Sequence, residues 1–302
     1  MPNASAAAVS APAVNRLTHV NWDLLSPLLR CPSCESHVLD LRSDAVVCTA
    51  CGKSYAVDNG IIDFVGDVSQ AMPAFYQNRF YRRFMDSIAK LHEAHYKEGG
   101  FSGNLEDRVK RDLFGLVSPS NEVSVDLGCG HGHGFPMIGA EERIIGVDFE
   151  LELLRETQKR FPKASLFRAD LGKLPFRTGS LKRVFANAVL EHVFHLEEAL
   201  AHIQRSMASD GVFYVLIPTE GSLAVWAARH YTSARNAKVT GMTAAQCRIA
   251  QKRDHCNTIH LLENGFRKYF TVEKSRLWPF KMGGNQVNLT KSYSLKAIVP
   301  DV

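Results

Sequence analysis

The stretch from Val125 to Gly134 contains the residues whose types and spacing most clearly indicate chemistry. An apolar run, Val-Asp-Leu, enters a glycine-dense turn that reads Gly-Cys-Gly-His-Gly-His-Gly. Gly128, Gly130 and Gly132 have no side chain that would hold a ligand away from the backbone, and glycine also adopts the positive φ values of tight turns. A strand that ends in such a turn is typical of a loop that binds an adenosine-containing cofactor.

A second predicted strand supports this interpretation. Residues 143–148 read Arg-Ile-Ile-Gly-Val-Asp and end in Asp148, at the spacing from the glycine turn where a carboxylate accepts hydrogen bonds from ribose hydroxyls. Asp126 precedes the first glycine, and no glycine opens the following helix as in a dinucleotide fingerprint, so no pyrophosphate site is predicted. The pattern therefore favours S-adenosylmethionine over a dinucleotide.

The glycine turn and the segments after it resemble the class I S-adenosylmethionine-dependent methyltransferases. The first motif of that family is an acid, a large apolar residue and Gly-Cys-Gly-x-Gly, and later motifs follow in order at residues 167–176, 184–193 and 208–218. Ser209-Asp210-Gly211 stands where the family usually has Lys-Pro-Gly-Gly, in a distal turn. The resemblance covers residues 105–300. It implies an α/β fold with a Rossmann-like seven-stranded sheet that ends in an antiparallel hairpin near residues 270–278 and 286–299.

The resemblance also implies which residues hold the cofactor. Asp148 would bind the ribose hydroxyls and Phe149 would flank the adenine ring. Asp170 and Leu171 would contact the adenine edge, and Asn187 would lie near the methionine end. The first motif would supply the remaining contacts, from Asp126, Gly128, Cys129, Gly130 and Gly132.

Four cysteines form a second group with the spacing of a metal site. Cys31 and Cys34 are followed by Cys48 and Cys51 in the pattern C-x2-C-x13-C-x2-C, which predicts two knuckles that offer four thiolates to zinc. Four protein ligands leave no open position, so the Zn²⁺ would be structural. Two disulfides are the alternative, which the reducing cytosol implied by the methyltransferase resemblance disfavours. Residues 29–66 resemble a small zinc-ribbon family found alone or ahead of methyltransferases, and in some relatives the ribbon contacts RNA or a partner enzyme.

Methyl transfer from a sulfonium is an in-line displacement, for which the protein mainly supplies alignment and a dry pocket. An acceptor hydroxyl or ammonium must also lose a proton, and histidine is suited to accept it near neutral pH. Three histidines are candidates: His192 follows the predicted fourth strand, while His255 and His260 lie in a polar insertion at residues 222–264. For each, a structural or surface role is the alternative.

The remaining segments give the predicted domain order. Residues 1–28 lack a basic start and a strongly apolar run, which predicts a disordered tail and not a secretory signal. Residues 67–104 have apolar positions at helical spacing and predict a helical linker or cap beside the pocket. Residues 105–302 form the predicted methyltransferase domain. No apolar run could cross a membrane, so we expect a cytoplasmic protein without a membrane partner.

Five apolar runs near residues 122–127, 144–148, 164–168, 182–187 and 212–217 alternate with helical stretches. This alternation predicts a mostly parallel sheet with both faces covered. A chain of 302 residues with 45% hydrophobic and 22% charged residues can bury such a core.

These patterns predict an enzyme that transfers a methyl group to O or N of a small molecule or biosynthetic intermediate. The first alternative is an RNA base methyltransferase, because a ribbon ahead of this domain resembles ribosomal RNA guanine methyltransferases. The mixture of acidic and basic residues around the cysteines argues against an RNA surface. The second alternative, a non-catalytic partner protein, conflicts with the intact glycine loop. The sequence leaves the acceptor and the oligomeric state open.

Overall fold

A computed structural model of the chain describes residues 20–66, 111, 113 and 115–298. Its strands are β1 (Leu39–Leu41), β2 (Ala45–Cys48), β3 (Ser54–Asp58), β4 (Ile61–Asp63), β5 (Ser124–Leu127), β6 (Ile144–Asp148), β7 (Ser165–Arg168), β8 (Leu181–Asn187), β9 (Met207–Pro218), β10 (Phe270–Trp278) and β11 (Thr290–Ala297). Its α-helices are α1 (Trp22–Leu25), α2 (Phe135–Ile138), α3 (Leu151–Arg160), α4 (Leu196–Ser206), α5 (Leu223–Thr240), α6 (Ala244–Asp254) and α7 (Ile259–Tyr269). Short 3-10 turns lie at Glu141–Arg143, Leu171–Lys173, Leu190–His192 and Asn285–Val287.

The eleven strands form one mixed sheet in the order β1-β2-β3-β4-β7-β6-β5-β8-β9-β11-β10. Strands β5 to β9 pair in parallel, and β11 pairs antiparallel with both β9 and β10. The seven-stranded Rossmann-like sheet, its five parallel strands and its terminal hairpin are thus confirmed, with β9 beginning five residues before its predicted start.

The sheet carries apolar cores on both faces, because successive residues of a strand point to opposite sides. Phe167 belongs to one buried cluster with Val125, while the neighbouring Leu166 belongs to a second cluster with Phe185. Burial on both sides explains why β5 to β8 read as continuous apolar runs and not as alternating ones.

The cysteine-containing segment, residues 29–66, is called the ribbon below. It extends this sheet and is not a separate appendage. Strand β4 pairs in parallel with β7, with Ile62 opposite Phe167 and Asp63 opposite Arg168. Leu29 and Tyr55 lie in the same buried cluster as Phe167. Residues 29–66 therefore share both a sheet and a core with the following domain.

The ordered structure begins earlier than the sequence suggested. Asn21 accepts a hydrogen bond from the Leu24 backbone N–H and so caps α1, and Leu25 and Leu29 are almost fully buried. The prediction of a disordered tail is therefore wrong for residues 20–28, where Leu25 and Leu28 pack into the apolar cluster shared by the cysteine segment and the following domain. The rest of that tail, and the linker or cap predicted for residues 67–104, lie outside the described residues.

The insertion is shorter than predicted. Helices α5 and α6 pack together around Met242, Cys247 and Ala250. In contrast, Leu262 and Phe266 of α7 belong to the main core, where α7 packs on α4. The added unit is thus the α5–α6 hairpin, and α7 is a sheet-covering helix. Among the described residues, no helix is both long and apolar enough to cross a membrane.

Candidate active site

A cavity of about 510 Å³ opens at the carboxyl ends of β5, β8 and β9. The chain leaves β5 toward β6 on one side, while β8 pairs with its other side, so the cavity lies at the switch point where α/β sheets bind ligands. One wall is the glycine loop with Asp126. The opposite wall includes Glu191, His255, Trp278 and Leu289.

The three positions of the loop require glycine for different structural reasons. Gly128, Gly130 and Gly132 all have positive φ, at 69°, 50° and 69°. A Cβ at Gly128 would lie 2.3 Å from the Val189 side chain, and one at Gly132 would lie 2.9 Å from Thr157. A Cβ at Gly130 would meet no atom within 4 Å. The expected role of keeping the backbone open to a ligand therefore applies to Gly130, whereas the other two glycines allow close packing.

The loop is fixed to the second strand through Asp148. The Gly130 N–H donates to Asp148 Oδ2 at 2.8 Å, and the Glu150 N–H donates to Asp148 Oδ1 at 2.9 Å. The Thr157 hydroxyl donates to the Gly130 carbonyl at 2.6 Å. Burial raises the pKa of Asp148, although these backbone hydrogen bonds oppose the shift. Asp148 therefore sets the position of Gly130 at the cavity wall.

A strained residue follows Asn187 at the end of β8. Ala188 has a φ of 52°, and its N–H donates to the Leu216 carbonyl at 2.9 Å. Non-glycine residues in this left-handed region are uncommon and cluster at functional sites. Both Asn187 and Ala188 line the cavity.

Several predicted cofactor residues do not line the cavity. These are Gly132, Asp148, Phe149, Asp170 and Leu171. The Arg168 guanidinium donates to the Phe149 carbonyl at 3.0 Å and lies 5.8 Å from the Phe149 ring centre. Asp170 accepts a hydrogen bond from the Gly172 N–H at 2.8 Å and so caps a 3-10 turn. Their roles toward a cofactor remain predictions.

The wall opposite the glycine loop contains a cluster of histidines and carboxylates. His192 Nδ1 lies 3.2 Å from Asp254 Oδ2, and its Nε2 lies 3.9 Å from Glu191 Oε1. The His192 and His255 rings meet edge to face with their centres 4.6 Å apart. His255 Nδ1 lies 2.7 Å from Glu220 Oε1, at an angle that makes no hydrogen bond. Two imidazoles and three carboxylates thus form one cluster, of which Glu191 and His255 line the cavity.

Hydrogen bonds hold the two chain segments of this cluster together. The Asn257 side-chain amide donates to the carbonyls of Leu190 and Val193, at 2.8 and 2.6 Å, and the Asn257 N–H donates to the Glu191 carbonyl at 3.1 Å. Arg229 donates to Glu220 at 2.6 Å. The cluster is therefore built on a fixed backbone frame.

Burial changes the acidity of the cluster. Burial raises the pKa of Glu191, which is only 1% exposed, while the charges of His192 and His255 oppose this shift. Burial lowers the pKa of His192, but the hydrogen bond to Asp254 and the charges of Glu191 and Asp254 outweigh it and raise the pKa to about 9. Glu191 Oε2 is buried without a hydrogen-bond partner. Such an atom is costly to maintain and is typical of a functional site.

The third predicted histidine does not join this cluster. His260 is exposed on the first turn of α7 and does not line the cavity, so the expectation that it serves the acceptor site is not supported. Sequence reasoning also missed Glu191, Glu220 and Trp278. Glu191 could have been found from its place beside His192, but the other two follow from contacts distant in sequence.

The four ribbon cysteines converge as predicted. Sγ of Cys31 lies 3.8 Å from that of Cys51, and Sγ of Cys34 lies 3.6 Å from that of Cys48. A disulfide bond would need about 2.05 Å, whereas thiolates that bind zinc at about 2.3 Å lie about 3.8 Å apart. All four cysteines are free. These distances favour a metal site over two disulfides, and the donor set fits a tetrahedral metal ion.

Comparisons with known proteins show similarity to methyltransferases. Residues 125–215 match the family model of a methyltransferase domain. The chain is 27% identical over 95 residues to a probable S-adenosylmethionine-dependent methyltransferase of Mycolicibacterium smegmatis, which covers 31% of this chain and 37% of that protein. It is 36% identical over 107 residues to a trans-aconitate 2-methyltransferase of Methylobacterium nodulans, which covers 34% and 40%. The matches thus span less than half of these relatives.

A solved structure shows the same fold. An S-adenosylmethionine-dependent methyltransferase of Thermotoga maritima superposes with a TM-score of 0.50 and 15% identity, over 72% of this chain and 99% of that one. At this identity the likeness concerns the Rossmann-like fold alone. These matches give no support to the RNA alternative.

Proposed function

We propose that the chain is an S-adenosylmethionine-dependent methyltransferase that acts on an oxygen or nitrogen of a small molecule. One observation carries the proposal: a single cavity at the switch point of a methyltransferase-like sheet has the glycine loop on one wall and the Glu191–His255 wall on the other. A cofactor held by the first wall would present its methyl group toward the second.

The residues of the glycine wall fit the cofactor. Gly130 leaves open space where a side chain would stand, and Asp148 is fixed at the adjoining strand end by two backbone N–H groups. Bound S-adenosylmethionine supplies an electrophilic methyl on a sulfonium. We assign Asp126 and Asn187 to its methionine end, Asp148 to the ribose and Phe149 to the adenine.

The opposite wall would prepare the acceptor. As the new bond to carbon forms, the bond from carbon to sulfur breaks, sulfur keeps the electron pair, and a hydroxyl or ammonium acceptor gives up its proton. His255 lines the cavity and is backed by Glu220, so it is the candidate to take that proton. His192, between Asp254 and Glu191, would hold the His255 ring in position.

A small acceptor is favoured over a macromolecule. The cavity holds about 510 Å³, which is in the range of small-ligand sites. One similar protein, by its name, methylates trans-aconitate. We propose an acceptor with a hydroxyl, carboxylate or amine group, and a structural zinc ion in the cysteine site that takes no part in the transfer.

Titration calorimetry with S-adenosylmethionine and its demethylated product tests the cofactor assignment. We expect micromolar binding of both. Radiolabelled methyl transfer to panels of small carboxylates, alcohols and amines, with RNA as the comparison, then tests the acceptor class. Absence of cofactor binding would favour the non-catalytic partner alternative, and transfer to RNA alone would overturn the small-molecule proposal.

A further inference from the structure

His192, Asp254 and His255 form a cluster beside the cavity, which His255 lines. Each residue offers one donor atom, and these atoms all lie within 4.8 Å of one another. Among the described residues, only the ribbon cysteines form another such group. We propose that this cluster binds a divalent transition-metal ion, which holds and activates the methyl acceptor.

The separation of the donor atoms fits a metal site. Ligands that bind a transition ion at about 2.1 Å stand about 3 to 4 Å apart. His192 Nδ1 and Asp254 Oδ2 already stand 3.2 Å apart, and the His255 ring centre lies 4.6 Å from that of His192. His192 Nδ1 also lies 3.2 Å from the Asp254 backbone carbonyl, so coordination through this nitrogen would replace that hydrogen bond.

The chemistry of the donors selects the class of ion. Two imidazoles and one carboxylate suit zinc, iron, cobalt, nickel or manganese, whereas magnesium and calcium prefer sites made of oxygen atoms. Three protein ligands leave coordination positions open, which distinguishes this cluster from the four-cysteine site.

Glu191 provides an independent observation. Its side chain is 2% exposed, its Oε2 has no hydrogen-bond partner, and the residue lines the cavity. A buried carboxylate oxygen without a partner is expensive. A cation in the adjacent cluster would offset the charge of the Glu191 carboxylate. The coordinated acceptor would donate a hydrogen bond to Glu191 Oε2.

The groups behind the ligands also fit. Glu220 lies 2.7 Å from His255 Nδ1, and Arg229 holds that carboxylate from the other side at 2.6 Å. Metal-binding histidines commonly donate their other ring N–H to a carboxylate, and Glu220 would take this role if the His255 ring turned its Nδ1–H toward it. The Asn257 hydrogen bonds fix the Asp254–His255 segment against the His192 segment, so the donors need little reordering to bind an ion.

The ion's role rests on the proposed methyl transfer, but its binding does not. An acceptor oxygen coordinated to the cation has a lowered pKa, because the positive charge stabilises the oxyanion. The acceptor proton passes to Glu191 Oε2, the oxyanion forms the bond to the methyl carbon, and sulfur leaves with the electron pair. In this arrangement the two imidazoles are neutral ligands, and Glu191 takes the proton-accepting role that His255 would have without the ion.

Metal counting on the tag-free full chain tests the proposal. After exhaustive dialysis against cobalt(II), we expect two equivalents per chain by elemental analysis. One should give the intense near-ultraviolet thiolate charge-transfer band of the ribbon, and the other only weak visible bands from nitrogen and oxygen ligands. His255→Ala and Asp254→Asn should each weaken the second equivalent at least about tenfold and leave the thiolate band unchanged.

His230→Ala is the matched control, because His230 is an exposed histidine of α5 whose ring contacts the Trp226 carbonyl and which does not belong to the cluster. This variant should bind two equivalents like the parent. The proposal would be overturned if the parent chain bound only the equivalent of cobalt that gives the thiolate band. It would also be overturned if both cluster variants bound the second equivalent as tightly as the parent. Neither result would bear on cofactor binding, which calorimetry measures separately.

Discussion

Arg168 and Asp63 form a nearly buried ion pair across the junction between the ribbon and the Rossmann-like sheet. Arg168 Nη1 lies 2.9 Å from Asp63 Oδ2, with the two side chains 11% and 14% exposed. The same guanidinium donates to the Phe149 carbonyl. The end of the ribbon is thus two contacts away from the residue assigned to the adenine ring.

Asp63→Asn should destabilise the chain strongly. The change removes the charge partner of the nearly buried Arg168 guanidinium. The free energy of unfolding should therefore fall by about 3 kcal/mol. Urea denaturation measures the loss. Glu122→Gln serves as the comparison, since its pair with Lys182 is about half exposed and should contribute less than about 1 kcal/mol. Equal effects of the two changes would contradict the importance of the junction.

Metal removal should destabilise the whole chain and not the ribbon alone. The ribbon shares a sheet and an apolar cluster with the following domain, so the two should unfold together. Calorimetric scans with and without a strong chelator should each show one transition, which moves to lower temperature when the metal is removed. Two separate transitions, with only one sensitive to the chelator, would show that the ribbon folds independently.

Cofactor affinity should fall in mild acid because of Asp148. Burial raises its pKa, so the carboxylate becomes protonated at a pH where an ordinary aspartate is still charged. The protonated form accepts hydrogen bonds from the ribose less well, and binding should therefore weaken as the pH falls through this raised pKa. Calorimetry between pH 8 and pH 5 measures the effect. Asp148→Asn should bind weakly across the range, and a variant with the parent's affinity would refute the ribose assignment.

Gly130→Ala should impair cofactor binding more than folding. The new methyl group enters open space at the cavity wall, and the positive φ costs about 1 kcal/mol. Gly128→Ala is the matched comparison, because its methyl group would lie 2.3 Å from Val189 and should cost several times more stability. Thermal melting and calorimetry together separate the effects. Parent-like affinity in the Gly130 variant would show that the cofactor does not approach this backbone.

His255→Ala should reduce the rate of methyl transfer about 100-fold or more, whether the imidazole is a base or a metal ligand. The turnover number should fall while the affinity for S-adenosylmethionine stays unchanged, because the glycine wall is intact. Cobalt counting separates the two roles: the variant should lose the second equivalent if His255 is a metal ligand and should keep it if His255 is only a base. A His255 variant with full turnover would remove the residue from the acceptor site.

Much of the sheet was predictable because its parallel strands are buried on both faces and read as uninterrupted apolar runs. The tight turn at Gly128, Gly130 and Gly132 was predictable because it depends on glycines close together in sequence, which all have positive φ, whereas the cofactor roles of these residues and of Asp148 stay predictions. The pairing of β4 with β7 was not, because Ile61–Asp63 is too short to indicate its neighbour. Likewise, His192 meets Asp254 only because the Asn257 side chain joins two segments that are distant in sequence.

The addition of β4 to β7 also limits the aggregation of one chain with another. Without β4, the backbone groups along one side of β7 would offer a template to a strand from another chain. With the ribbon in place, the sheet ends on that side at β1, which has three residues, and on the other at β10, which has a register irregularity and the charged residues Glu273, Lys274 and Arg276. Short and charged borders of this kind discourage edge-to-edge aggregation, so the ribbon gives the sheet a protected border.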